Sequence, residues 1–423
     1  MLPQYEVCDN QFGFRPKRGT AFGCTLLNDI MCYFCNKSSP MYACSLDAEK
    51  CFDSIWHPAL FYKLKDKIPQ LYWKFLVTWY SKLQALVRWK GQYSRMFKVT
   101  RGTRQGSILS PQLFNIFIDG LMKKLQSANN GVSIGNDNYT SFAYADDVTV
   151  FSATVPDLQL LIQMCADYAE EWRFNFGINK TKCMVIGENR FTVEPRWKLG
   201  SQLIQNVEEF EILGVTYNRN CKGTTHIYNR VQKCYRSFYS LRDFGLSYPG
   251  LNSEVKSYLW KTMCQPVLLY GIDCINVSNT DFKKLETTQG NIIKQSLGLS
   301  KYSRSTNLLA ALNINKINHS VTQNIVSLWN RIFCVESPTK TLCSYMYSKF
   351  LLHGIVIPGT LLCRMIKNGV SPVKCALSKV KYISSQNVNN GVVDSLRMVL
   401  ASEHFIKPYS EDHILAVLLT QSF

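Results

Sequence analysis

The chain has 423 residues, more than one hydrophobic core ordinarily serves, and 46% of them are hydrophobic, which excludes a disordered or fibrous chain and leaves room for two to four domains. Lys and Arg outnumber Asp and Glu by 48 to 30, a net charge of +18 at pH 7. The excess is spread over clusters near Lys17-Arg18, Lys63-Lys65-Lys67, Lys123-Lys124 and Arg230 to Arg242, as expected of a protein with a polyanionic partner, of which nucleic acid is the commonest.

In chain order, QFGFRPKRGT (11–20) reads as a loop rich in Gly, Pro and basic groups leading into a helix, Ala21 to Cys35. Cys32 and Cys35 form the one C-x-x-C among sixteen cysteines; no second pair or nearby His completes a zinc site, and the thiols read as core residues of a reducing compartment. MYACSLD predicts a strand, Met41 to Asp47, running into a helix that starts near Asp53, capped by Asp53 or Ser54, and stops before Pro69. An aromatic helix follows from Leu71 to about Leu83, then a hairpin turned near Lys90-Gly91. RGTRQGSILSPQLFNIFID is a loop and then a helix with Ser110 as its cap and Pro111 in its first turn. YTSFAYA and VTVFSA predict two strands around Asp146-Asp147 at a hairpin turn. An amphipathic helix from Asp157, a strand CMVIGE, and FEILGVTY (Phe210 to Tyr217) as one strand complete an α+β core of a few antiparallel strands with helices on one face. From about His226 the pattern is helical and basic, and it stays largely helical beyond Asn318.

MLPQYEVCDNQF has no basic start leading into an apolar run, and no stretch of about eighteen apolar residues occurs. Neither secretion nor a membrane partner is expected; the nucleus or cytoplasm is.

Asp146 and Asp147 stand together inside an apolar run, and Asp47 ends an apolar strand. One reading is ordinary turn chemistry. The other is three carboxylates converging at one sheet edge, unfavourable by themselves but favourable around hard divalent cations, which Mg²⁺ suits when it also binds substrate phosphates. Two such ions support phosphoryl transfer.

QFGFRPKRGT, LDAEKCFD, RGTRQGSILSPQLFNIFID and YADD, in that order, together with NKTKCMVIG, FEILGVTY and KTMCQPVLLYGIDC, resemble the reverse transcriptase of non-LTR (LINE-type) retrotransposons over about residues 10 to 315. The resemblance implies a polymerase right hand: partial fingers 1–40, palm 41–217, an α-helical thumb 218–317 and a helical region of unassigned role, 318–423. It implies an RNA-directed DNA polymerase joining a dNTP to a primer 3′-OH, with an RNA template, a DNA primer and two Mg²⁺ (or Mn²⁺) ions held by Asp47, Asp146 and Asp147. Asp53 falls outside that set. Phe52 matches an aromatic gate under the incoming sugar, Gln105 and Gly106 a loop at the nascent base pair, with Arg104 beside it on phosphate. Tyr144 and Ala145 match residues at the primer end, and Leu213 and Gly214 a primer-grip turn. Lys180 or Lys182 matches a general acid for departing pyrophosphate; the sequence leaves both open. The chain begins too late to hold the family's earlier fingers segment, so a fragment is expected, with the endonuclease encoded elsewhere in the parent element. A second reading is a catalytically inactive relic or co-opted RNA-binding protein.

Overall fold

A computed structural model of the protein describes residues 5–187, 194–242, 246, 250–370 and 372. It divides into two compact units, residues 1–23 with 39–213, and residues 24–38 with 214–423.

The first unit opens with the segment Gln11–Gly13 and the start of helix α1, Thr20–Asn36. Strand β1 (Met41–Asp47) leads to helices α2 (Cys51–Ser54), α3 (His57–Leu64) and α4 (Gln70–Ser81). Four two-residue strands follow: β2 (Gln84–Ala85), β3 (Arg88–Trp89), β4 (Gln92–Tyr93) and β5 (Phe97–Lys98). Helix α5 (Ser110–Ser127) precedes β6 (Val132–Ile134), β7 (Asp137–Tyr139), β8 (Ser141–Tyr144) and β9 (Asp147–Ser152). Helix α6 (Val155–Glu171), β10 (Lys182–Ile186), β11 (Lys198–Leu199), β12 (Gln202–Leu203), β13 (Gln205–Asn206) and β14 (Glu209–Ile212) close it. The central sheet has the order β13-β10-β1-β9-β8 and is antiparallel except for the β10–β13 pair.

Strand β1 is central and buried on both faces, which is why its sequence reads as a continuous apolar run. Tyr42, Cys44 and Leu46 with Val148 and Val150 face a core shared with Leu113, Phe117 and Leu121 of α5 and Leu158, Leu161 and Ile162 of α6. On the other face Phe142 packs Phe12 and Phe151, with ring centroids 6.0 and 6.3 Å apart, and Phe12 packs Phe22 of α1. Two apolar faces fix the register strongly, because a one-residue slip would exchange them.

Several local expectations need correction. The helix predicted from Asp53 to Pro69 is two pieces, α2 and α3, broken at Ile55 and Trp56, where Gly102 N–H donates to Ile55 O at 2.8 Å. Neither Asp53 nor Ser54 is a cap: Asp53 lies inside α2, its side chain taken by Gln105, and Ser54 Oγ donates to Cys51 O. Ser110 is the first residue of α5 and its hydroxyl donates back to Arg104 O at 2.6 Å, fastening the loop. FEILGVTY is two strands, β14 and β15 (Val215–Asn218), because Leu213 and Gly214 both take positive φ, 50° and 78°.

The second unit holds β15 and the helices α7 (Thr224–Arg242), α8 (Ser253–Leu259), α9 (Gln265–Leu269), α10 (Asn279–Ser296), α11 (Ser305–Ala311), α12 (Ile317–Ile332), α13 (Pro338–His353) and α14 (Leu361–Lys367). A π-turn, Trp260–Cys264, joins α8 to α9 just before Pro266, whose ring cannot follow a regular α-turn. The greater part of α1 belongs here for a polar reason. Buried Asp29 accepts from Leu361 N–H at 3.1 Å and faces Arg364 at 3.5 Å, while Asn28 donates to Gly359 O. Among the described residues no helix is long and apolar enough to cross a membrane. Residues 373–423 of the region expected to be helical lie outside the described residues.

Gly13 shows how tightly the opening segment meets the sheet: a Cβ there would lie 2.3 Å from Ala145 N and 2.9 Å from Tyr144 C, both backbone atoms. Gly13→Ala is expected to destabilise the protein by about 1–3 kcal/mol. A thermal melt unchanged from that of the parent chain would disprove this close approach.

Candidate active site

The two pairings of β9 place three residues in a row. Asp47 stands opposite Asp147, and Tyr144 stands opposite Asp147 from the other side. Directly opposed residues share a sheet face, so Tyr144, Asp147 and Asp47 are neighbours on one face. The β1–β10 register pairs Ser45 with Lys182; carried two residues beyond the strand, it brings Lys180 to Asp47. The Lys180 ammonium donates to Asp47 Oδ2 at 2.7 Å. Lys182 lies one pleat away and donates to Gln205 Oε1 at 3.1 Å. Of the two lysines the sequence leaves open, Lys180 is the one that meets a carboxylate of the row.

The turn itself is displaced by one residue from the expected Asp146-Asp147. Its corner is Ala145-Asp146, and Asp147 already belongs to β9. The apolar alternation decides this, since Val148 and Val150 must point into the helix-covered core. Ala145 is buried and takes φ 59°, a conformation uncommon for a residue with a Cβ. A buried amide holds it there. Gln11 Oε1 accepts from Ala145 N–H at 2.9 Å and from Gly13 N–H at 2.8 Å, and Gln11 Nε2 donates to Ala145 O at 3.2 Å. Gln11 is fully buried. Sequence reasoning placed it inside a motif but gave it no role; the available signal was an amide in an apolar, glycine-bearing context.

Like charges opposed across strands repel. Burial, then Asp146, then Asp47 push the Asp147 carboxyl up to about 6, with a hydrogen bond to Asp47 adding to the effect and Lys180 opposing it. The hydrogen bond to Asp47, and then its charge, raise the Lys180 ammonium above its ordinary range. Burial first, then the Asp146 carboxylate, push the Cys51 thiol of α2 well up, so that it stays protonated. Among the described residues no three His, Cys, Asp or Glu side chains already form a coordination sphere. The donor set nonetheless suits a hard cation: carboxylate oxygens at one sheet end, with their mutual repulsion only partly answered by Lys180.

Phe52 follows Cys51 on α2. Its ring is held between Phe114 at 5.0 Å and Phe14 at 6.0 Å. Its carbonyl accepts from Thr103 N–H at 2.6 Å, and Gly102 packs so closely that a Cβ would lie 2.9 Å from Asp53 Cα. Gln105 donates to both oxygens of Asp53, at 2.9 and 3.2 Å. Gly106 has φ 78° with open space where a Cβ would be, so its need for glycine is conformational. Arg104 is exposed. Leu213 closes the first unit and Gly214 opens the second. Within the second unit Gly214 O accepts from the Arg230 guanidinium, which lies over the Tyr270 ring.

Replacing Asp147 by Asn removes one like charge yet leaves an amide able to donate to Asp47. Asp147→Asn is expected to raise stability in chelator by about 1 kcal/mol, as relief of a cross-strand repulsion should. Denaturant titrations in EDTA measure it, and a loss of stability would refute the repulsion.

The model of the family described as "Reverse transcriptase (RNA-dependent DNA polymerase)" matches residues 2–217, just over half of the chain. The RNA-directed DNA polymerase from mobile element jockey of Drosophila funebris is 26% identical over 321 residues, covering 74% of this chain and 34% of the relative. The retrovirus-related Pol polyprotein from type-2 retrotransposable element R2DM of Drosophila melanogaster is 29% identical over 178 residues, 42% of this chain and 17% of the relative. The chain spans about a third of the length of the jockey relative. Among solved structures, apo telomerase from Candida Tropicalis aligns at TM-score 0.38 and 13% identity, covering 88% of this chain and 55% of that one. On the family match over residues 2–217, the chain belongs to the reverse transcriptase (RNA-dependent DNA polymerase) family.

Proposed function

We propose that this chain carries the palm of a polymerase right hand from a non-LTR retrotransposon and performs RNA-directed DNA synthesis, joining a dNTP to a DNA primer on an RNA template. The observation that carries this is the register of β9, which sets Asp147 opposite Asp47 and leaves Asp146 at the adjoining corner. In this reading the three aspartates hold two Mg²⁺ ions, which supply charge neutralisation at the transferring phosphoryl group.

The side chains then divide the remaining work. The primer 3′-hydroxyl gives up its proton to solvent as its oxygen attacks the α-phosphorus, the bond to pyrophosphate breaks, and the departing oxygen needs a proton. Lys180, protonated and exposed beside Asp47, is the proposed donor. Phe52 is fixed by Phe14 and Phe114, and its ring edge is the proposed barrier to a 2′-hydroxyl. Gln105 and Gly106 border the nascent pair, with Arg104 on phosphate, and Tyr144 and Ala145 support the primer end. Leu213 and Gly214 form the proposed grip on the primer strand. Residues 1–40 are the proposed partial fingers, the basic helices of 218–317 the thumb, and an endonuclease is supplied from outside this chain.

Primer extension on poly(rA)/oligo(dT) with dTTP and Mg²⁺ tests the proposal. Extension is expected from the parent chain, and Asp146→Ala should cut the rate by about a thousand-fold or more, several kcal/mol of lost charge stabilisation. No extension by either protein, with RNA binding retained, would favour an inactive RNA-binding relic. Phe52→Val is expected to raise incorporation of ribonucleotides relative to deoxynucleotides by about tenfold, equivalent to about 1.4 kcal/mol of lost discrimination. Unchanged sugar selectivity would remove Phe52 from this role.

A further inference from the structure

Between Asp66 and Asp119 the chain holds nine Lys and Arg residues and no Asp or Glu. Of the nine only Arg104 has been given a role above, and the carboxylate row, Phe52 and Lys180 lie outside the stretch. Most of it falls on α4 and the two small hairpins, and every residue from Leu86 to Lys98 is exposed. Six of those thirteen are large apolar or aromatic side chains, including Trp89 at 73% exposure, Tyr93 at 63%, Met96 at 65% and Phe97 at 50%. Tyr72 and Phe75 of α4 are exposed as well. Exposed aromatics in such density mark a binding surface rather than a solvated face.

The hairpins are built to present these groups. Lys90 and Gly91 both take positive φ, 45° and 84°, so the tip is a primed two-residue turn that needs no core to set its register. That register opposes Arg88 to Tyr93 and Trp89 to Gln92, with the Arg88 guanidinium 5.7 Å over the Tyr93 ring. At the base, Lys98 opposes Gln84 and Phe97 opposes Ala85. A cavity of about 650 Å³ opens there, lined by Lys82, Met96, Arg101, Arg104, Gln105 and, as its one acidic residue, Asp53, whose carboxylate Gln105 occupies. Cations and flat rings therefore alternate from the tip to the loop that borders the candidate active site.

We infer that the hairpin surface from Arg88 to Lys98 binds single-stranded RNA, the cations meeting phosphates and Trp89 and Tyr93 stacking on bases. A partner with regular negative charge and flat apolar faces is what this chemistry matches. A second copy of the chain fits poorly, because two acid-free faces repel. The role as a template track rests on the reading proposed above, whereas the binding itself does not.

The test uses the full chain and a fluorescein-labelled, mixed-sequence 20-nucleotide RNA, followed by anisotropy across a salt series. Trp89→Ala/Tyr93→Ala is expected to weaken binding at least tenfold. Arg88→Gln/Lys90→Gln/Arg95→Gln/Lys98→Gln should weaken it and flatten the log–log salt slope by about 2 to 3, near 0.7 per lost phosphate contact. All these side chains are exposed, so unchanged thermal melts are expected for both variants. Parent-like affinity and slope in both variants would overturn the inference. So would concentration-dependent self-association of the parent, lost in the aromatic variant while RNA binding persists. If the parent binds RNA through these residues yet never extends a primer, the inference holds and the polymerase reading fails. If it extends primers with binding indifferent to both variants, the reverse is true.

Discussion

Two carboxylates directly opposed across neighbouring strands are a state that a sheet does not reach by itself. Asp47 and Asp147 face one another because the registers of β1 and β9 leave no alternative. Those registers are set by residues that do no chemistry: Tyr42, Cys44 and Leu46 toward the helices, Phe142 and Phe151 toward Phe12. A slip of one residue would separate the aspartates but would also turn two buried faces inside out. The cost of the like-charge contact is a fraction of the cost of that slip, so the core outweighs the repulsion and holds the site in place.

The same logic governs the corner. Ala145 has a backbone conformation that glycine would adopt more cheaply, and strain of this kind persists only where its surroundings determine it. Gln11 and Gly13 supply that determination from 134 and 132 positions earlier in the chain, one through hydrogen bonds to both backbone polar groups of Ala145, the other by lacking a Cβ. The QFG segment thus acts on the carboxylates without touching them: it fixes the turn on which Asp146 rides.

What was legible in the sequence follows from which interactions are periodic. The strand Met41–Asp47, the hairpin at Lys90-Gly91 and the helices at 20–36, 70–81 and 155–171 all announce themselves by apolar spacing or turn residues. The motif order announces the family, and the meeting of Asp47 with Asp147 follows once two strands are taken as neighbours. Illegible were the features set by single long-range contacts. Gly102 against Asp53 breaks the helix that periodicity would continue to Pro69. Ser110 serves the Arg104 carbonyl in place of its own helix start. Asn28 and Asp29, inside an apolar helix, commit most of α1 to the second unit through Gly359 and Leu361, more than 300 residues away. The choice between Lys180 and Lys182 needed a register, because both lie near the start of one strand and only pairing counts residues across it.

The two ends of this chemistry are supported in opposite ways. The carboxylate row depends on a core buried on both faces, since nothing weaker would hold like charges in register. The hairpin from Arg88 to Lys98 has almost no core, and its order comes from a primed turn and a few cross-strand pairs, with Val87 N–H donating to Ser94 Oγ at 2.9 Å. Such an element is locally determined and marginally stable, so its side chains are free of packing demands and its composition can follow a partner. That explains how a stretch can shed every acidic residue and expose its aromatics without disturbing the sheet. In the core the acidic residues are kept despite the fold; on the hairpin the aromatic residues are exposed without any service to it. Both departures from what folding favours lie where the proposed chemistry and the inferred RNA contact are placed.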